Sequence, residues 1–325
     1  MANMKNLFSR ITDNKNMDIV GKRTIWFVIP AAIIAIALII YVIMGVNVGI
    51  DFSSGVKIEL YSEDGITPAQ YDAYVKGITD VVKENDGVVS YAQRSGDGAV
   101  VVKCSSIKGN PTDAELETLQ KNIEAALKLK YEDIADESND SYITVSFAGA
   151  SVSNELLSRA LVAVGVASVL MLIYIWIRFD LLSGLSAVIA LIHDVVITFA
   201  LTIIFRVQVN SSYIAAIITI IAYSINATIV LFDRAREAKK HLVGGAKFIP
   251  ADIANQAIKS TFTRSFYTNV STLIPIALLA IFSVATVQEF ALPIIFGLVS
   301  GFFSSVCLAP SIWTIMNNAK LKKKA

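Results

Sequence analysis

Six charge-poor apolar runs, each long enough to cross a bilayer, leave this chain few folds to choose from. A spanning helix needs about 20 predominantly apolar residues. The candidates are 24–44, 157–177, 182–205, 210–232, 265–287 and 290–316, the third broken at its centre by His193-Asp194. Composition points the same way: 54% of residues are apolar and 17% charged, below the ~25% charged typical of soluble domains. The charge is also segregated, because 19 of the 27 acidic residues lie between Val46 and Leu156. The pattern predicts a polytopic α-helical membrane protein with six transmembrane helices and one acidic domain, 45–156, between the first two.

Lys and Arg in short flanking segments orient such a chain. The tail 1–23 carries Lys5, Arg10, Lys15, Lys22 and Arg23; Arg178 follows the second run. The segment 233–264 carries Arg234, Arg236, Lys239, Lys240, Lys247, Lys259 and Arg264, and the tail 317–325 carries Lys320, Lys322, Lys323 and Lys324. With six spans all of these share one side, and among the short flanks only Arg159 and Arg206 fall opposite. The expectation is that both termini are cytoplasmic and that 45–156 lies outside. The first run is longer than a ~7–15-residue signal core and lacks an A-x-A-like site, so it reads as an uncleaved anchor.

The 45–156 segment reads as a small α+β module. Val56, Ile58 and Leu60 alternate with Lys57 and Glu59, the period of a half-buried strand. Thr67-Pro68-Ala69-Gln70 and Thr112-Asp113-Ala114-Glu115 are capping boxes that open helices. Between them, 87–94 and 98–105 predict a hairpin turning at Ser95-Gly96-Asp97-Gly98, and Ile143, Val145 and Phe147 mark a last strand. The order βαββαβ predicts a ferredoxin-like, split-βαβ arrangement. Its acidic surface is either a solvated face or an electrostatic docking face.

Ionisable groups inside a span cost about 2.5–3.5 kcal/mol on insertion scales, which makes each a functional candidate. Asp194 lies roughly 18 Å into the third run, counted from Leu182 at 1.5 Å per residue. Two readings stand side by side: an ion-responsive carboxyl facing a polar interior, or a hydrogen-bonding hub between helices. His193 reads as structural. In the fourth run, Ser224 and Thr228 are one turn apart and Asn226 is expected to be a buried amide that needs partners. Asp233, Arg234, Arg236 and Glu237 form a boundary cluster with local ion pairs, and Arg264 is placed to snorkel. Cys104 and Cys307 lie in different compartments, two His and two Cys make no structural zinc site, and no phosphate-binding loop occurs. No enzymatic activity and no cofactor are expected.

Four motifs carry a resemblance. Gly49-Ile50-Asp51-Phe52-Ser53-Ser54-Gly55 resembles a G-I-D-F-x-G-G element, and Leu191-Ile192-His193-Asp194-Val195 an L-x-H-D-V motif. Tyr223-Ser224-Ile225-Asn226 with Asp233-Arg234-Ala235-Arg236-Glu237 resembles the fourth-span signature, and Thr263-Arg264-Ser265 an S-R-T step. In that order they resemble the SecD/SecF protein-export family of the resistance-nodulation-division superfamily, through nearly the whole chain. The resemblance implies a multi-pass protein of the bacterial cytoplasmic membrane that pairs with SecD. With the SecYEG channel, and with YajC as a further neighbour, it would move preproteins using a proton or sodium gradient. Two departures stand out: Ser54 replaces a Gly, and Ala227 replaces an intramembrane Asp. Ala227 and Arg264 are expected at similar depths, so in the family pattern an Asp would stand beside the arginine. With Ala there, ion binding is expected to shift to SecD carboxylates, aided by Asp194, with Asn226, Ser224 and Thr228 shaping a polar path. The alternatives are a half-size small-solute or lipid exporter of the same superfamily, and a structural scaffold for SecD.

The topology is testable by single cysteines in a background lacking Cys104 and Cys307. In intact cells Asp136→Cys is expected to react with an impermeant thiol reagent and Lys240→Cys to stay unlabelled; equal labelling would rule out six spans.

Overall fold

A computed structural model of the chain describes residues 18–95, 98–106, 111–135, 141–241, 248–282 and 285–323. Six helices in it are long and apolar enough to cross a membrane: Arg23–Met44, Ser151–Arg178, Leu181–Ile204, Ser211–Lys240, Pro250–Phe282 and Val287–Lys322, here called the first to sixth spans. They divide by burial. The third, fourth and sixth are 50%, 44% and 61% buried along their most apolar windows, against 11%, 6% and 0% for the first, second and fifth. The first group therefore forms an inner trio and the second an outer layer. The outer layer exposes Val42, Trp176, Ile177 and Phe282, which water would penalise and lipid does not.

Several helices run past the apolar residues that announce them. The fourth continues through Arg234, Arg236 and Glu237 to Lys240, and the fifth begins at Pro250 rather than near Thr261. The stretch 233–264 is thus mostly helical among the described residues, not a loop. Residues 150–156 are the first turns of the second-span helix, and the sixth helix carries the basic tail as far as Lys322. Hydropathy marks where lipid ends. Helix propensity, high for Ala, Arg, Glu and Lys, marks where the helix ends.

The segment between the first two spans forms a four-stranded sheet. After a short helix α1 (Ile50–Ser53), its elements are β1 (Gly55–Tyr61), α2 (Pro68–Glu84), β2 (Gly87–Ser95), β3 (Ala99–Ser106), α3 (Asp113–Lys130), α4 (Glu132–Ala135) and β4 (Tyr142–Ala148). The spatial order is β2-β3-β1-β4, with every neighbouring pair antiparallel. Gly96 and Asp97 of the expected turn lie outside the described residues. Both capping boxes form: Thr67 Oγ1 accepts the Gln70 N–H and Thr112 Oγ1 the Glu115 N–H, while Gln70 and Glu115 accept in return. One sheet face, with Val56, Ile58, Leu60, Val100, Val102 and Cys104, packs on Ile78 and Val82 of α2 and Leu116, Ile123 and Leu127 of α3. Burial pushes the Cys104 thiol up to about 12.

The opposite sheet face is unusual. It carries Lys57, Glu59 and Lys103, and Lys103 is only 5% exposed. The junction beneath the sheet ties the domain to the spans. Gly49 N–H donates to the Val209 carbonyl and Val209 N–H to that of Asn47, while Asn47 Nδ2 donates to the Arg206 carbonyl. Asp51 accepts the Ser211 N–H at 3.0 Å, at the start of the fourth span. Ser54, which stands where the resembled motif has Gly, has φ +56° and ψ 163°, a conformation that costs a residue with a Cβ about 1–3 kcal/mol.

Burial lowers the Lys103 ammonium from 10.5 to about 8, against the opposing charges of Glu289 and Asp51 and with help from Lys57. The folded chain releases this proton near pH 8, and the unfolded chain holds it to about 10.5. Between those values the unfolded state binds more protons, so this group makes stability rise with pH. Lys103→Met is expected to be the more stable protein near neutrality, with the thermal midpoints of variant and wild type converging as pH rises through that window.

Candidate functional site

Asp194 sits at the centre of the inner trio with no exposed surface. Its two carboxylate oxygens meet four polar side chains drawn from three spans. Oδ2 accepts from Ser224 Oγ of the fourth span and from Ser304 Oγ of the sixth at 2.6 Å. Oδ1 accepts from Ser300 Oγ at 2.7 Å and lies 3.0 Å from Nδ1 of His193. The His193 ring stacks on Phe303, and its Nε2 is buried without a hydrogen-bond partner among the described residues. Three serine donors and an imidazole nitrogen can satisfy an ionised carboxylate, which only accepts; serine hydroxyls also accept, so the same cradle can serve a protonated acid.

Local sequence explains why the helices come this close. Gly297 and Gly301 face the fourth span: a Cβ at Gly297 would stand 2.4 Å from Ile220 Cγ1, and one at Gly301 3.3 Å from Ser224 Cβ. Small residues four apart let two spans approach at backbone distance. The sixth helix then widens into a π turn over Ser304–Leu308, a distortion common at functional positions. Ser300 and Ser304 were missed in the sequence reading. Their signal was present as two interleaved pairs with four-residue spacing, Gly297 with Gly301 and Ser300 with Ser304, in an otherwise apolar run.

The fourth-span signature splits between two faces. Ser224 and Thr228 are buried on the inner face, Ser224 on Asp194 itself. Asn226, expected as a buried amide, is instead exposed, because two residues turn a helix by about 200° at 3.6 residues per turn. It lines a separate cleft with Tyr223, Ala227, Arg264, Thr268 and Asn269, between the fourth and fifth spans. Tyr223 Oη donates to the Thr268 carbonyl at 3.2 Å and lies 2.9 Å from Thr272 Oγ1; Asn269 Nδ2 donates to the Leu298 carbonyl at 3.0 Å. Ala227 and Arg264 therefore share one cleft, separate from the Asp194 cradle. At the boundary, Asp233 pairs with Arg178 at 2.5 Å, Arg234 pairs with Glu237 at 2.5 Å, and Arg236 donates to the Arg178 carbonyl at 3.2 Å. The two contacts to Arg178 tie the fourth helix to the end of the second, although exposed pairs contribute only about 0–1 kcal/mol each.

Thr198, one turn from Asp194 on the third span, is fully buried, and its hydroxyl has no partner among the described residues. Farther along, Asn210 caps the fourth span through its Oδ1 on the Tyr213 N–H, and its Nδ2 donates to Glu289 of the sixth. No group of His, Cys, Asp and Glu suited to a metal occurs among the described residues.

The cradle predicts coupled energetics. Interhelical hydrogen bonds in membranes average about 0.6 kcal/mol with a maximum near 1.7, so Ser300→Ala and Ser304→Ala are each expected to cost that much. In double-mutant cycles with Asp194→Asn their effects should fall short of additive, as measured by reversible unfolding in mixed micelles; strict additivity would deny that they share one carboxylate.

Comparison with known proteins identifies the family. The family described as Protein export membrane protein SecD/SecF, C-terminal, matches residues 129–319. The protein translocase subunit SecF of Sebaldella termitidis is 32% identical over 310 residues, covering 95% of this chain and 94% of that one. The protein translocase subunit SecDF of Bacillus subtilis is also 32% identical, over 96% of this chain but only 40% of its own length. Among solved structures, SecDF of Thermus, titled a translocon-associated membrane protein, superposes with a TM-score of 0.74 at 24% identity, over 94% of this chain and 39% of that one. On the match to more than half its length and on these relatives, the chain belongs to the SecD/SecF family of protein-export membrane proteins.

Proposed function

We propose that this chain is the ion-responsive half of a two-part machine that assists Sec-pathway export of preproteins across the bacterial cytoplasmic membrane, with a SecD partner as the other half. Its role in Sec-pathway export follows from the family. The finer reading, that a proton or sodium gradient acts through Asp194, rests on one observation: a fully buried carboxylate ringed by three serine hydroxyls and an imidazole where three spans converge. Changing the charge on that carboxyl changes which of its neighbours must donate, and so changes how the three spans attract one another.

The SecD partner is supported by relatives that carry both names in one chain and by the exposed polar cleft. Arg264 lines that cleft with Ala227 beside it, and an arginine inside a span is stabilised by a carboxylate; here the partner supplies it. The SecYEG channel and YajC are proposed as further neighbours from the family resemblance alone. We read the outside domain as ferredoxin-like, a reading that its β-α-β-β-α-β order and its β2-β3-β1-β4 sheet support, and we place both termini in the cytoplasm on the Lys/Arg asymmetry. A scaffold role is the second reading, favoured by Ala227, which cannot titrate.

Asp194→Asn separates the two. It keeps the shape and deletes the charge, so it should accumulate to wild-type level yet lose gradient-stimulated export when assayed with the cognate SecD. Arg264→Ala is expected to reduce both export and the amount of co-purifying partner. Full export by Asp194→Asn would leave the scaffold reading standing.

A further inference from the structure

At one end of the bundle the first and sixth spans enclose a pocket of about 450 Å³ lined by Arg23, Ile315, Asn318, Ala319, Leu321 and Lys322. Among the described residues no acid lines it. Arg23 and Lys322 make no ion pair among the described residues; Asp18, the acid nearest to Arg23 in the sequence, is engaged elsewhere. Its Oδ1 accepts the Gly21 N–H at 2.7 Å and the Asn255 amide of the fifth-span helix at 2.9 Å. The first span begins here with Lys22 as a cap that makes no side-chain hydrogen bond and with no acid in its first turn, so its positive end adds to the field. Lys320 and Lys322 occupy the last turn of the sixth.

The pocket lies where two spans pass from apolar to basic sequence, the place of a lipid headgroup. Trp26, one turn into the first span, donates its indole N–H to the Ile19 carbonyl at 2.8 Å, the placement of an interfacial aromatic. The pocket's deep end is apolar: Ile315 is 41% exposed. Ile315 lies seven residues before Lys322 in the sequence, or roughly 10 Å deeper at 1.5 Å per residue. A cationic rim above an apolar floor at the edge of a bilayer matches an amphiphile with a phosphate at one end, and basic pockets between spans are a known form of lipid site.

We propose that this pocket binds an anionic phospholipid, phosphatidylglycerol in kind. Arg23 and Lys322 hold the phosphate, the Asn318 amide donates to the headgroup, and one acyl chain lies over Ile315. The site is independent of Asp194, so its failure and the failure of the ion-linked reading are distinguishable.

The test titrates the full chain in detergent with phosphatidylglycerol and counts bound lipid by native mass spectrometry. Each basic residue near a membrane surface contributes about 1 kcal/mol to anionic-lipid attraction. Arg23→Gln with Lys322→Gln should therefore weaken the first lipid's Kd about thirtyfold, at tenfold per 1.4 kcal/mol. Lys121→Gln with Lys128→Gln, which removes the same charge from α3, should leave it unchanged. Lys322→Gln alone, at an exposed helix end, should cost about fivefold by the same conversion and serves if the double variant does not fold. Equal Kd in the wild type and the Arg23/Lys322 variants overturns the proposal. So does displacement of the lipid by inorganic phosphate alone, which would make this a free-anion site, or equal affinity for phosphatidylcholine.

Discussion

A carboxylate with no exposed surface in the middle of an apolar bundle is the constraint that the membrane half of this protein is built around. Placing Asp194 there costs about 2.5–3.5 kcal/mol. Four hydrogen bonds of the size measured between membrane helices, about 0.6 kcal/mol each, come close to offsetting that cost, but only when all four are made together. The donors come from the third, fourth and sixth spans, so the carboxyl sets which three helices form the inner trio. Gly297 and Gly301 follow from the same demand, because a side chain at either would hold the sixth span off the fourth.

The same packing separates two polar regions that lie almost adjacent in the sequence. Ser224 and Thr228 face inward, while Tyr223, Asn226 and Ala227 line the cleft with Arg264. Both oxygens of Asp194 are met within this chain, although His193 Nε2 and the Thr198 hydroxyl beside them have no partner among the described residues. The outer region is incomplete, since its cation has no carboxylate within the described residues. The carboxylate is thus held by this chain's own spans, while the cleft on the other face of the fourth span leaves its arginine open to a partner's acid.

The sixth span connects these regions to both ends of the molecule. Its first turns carry Glu289, which accepts from Asn210 and whose charge favours the ammonium of Lys103 in the sheet. Its middle holds Asp194, and its last turn carries Lys322. One helix therefore contacts both the cradle and the junction under the sheet. The π turn at Ser304–Leu308 begins at the cradle's own Ser304 and leads toward the basic end of the span.

What the sequence by itself determined is what local physics determines. Span count follows from run length against bilayer thickness, and the strands from their two-residue alternation. The helix starts at Pro68 and Asp113 follow from capping boxes whose partners are three residues apart. Asp194 was legible as a buried charge needing partners because one charge in an apolar run is conspicuous. The tertiary structure alone decided which groups answer it. Ser300 and Ser304 lie more than 100 residues away, and a serine in a span is ordinary until a carboxylate stands opposite. Asn226 was misplaced for the complementary reason: periodicity gives the angle between two residues on a helix but not the rotation of that helix against its neighbours. Only the simultaneous packing of three spans fixes that rotation, and with it which side of the fourth span faces the charge.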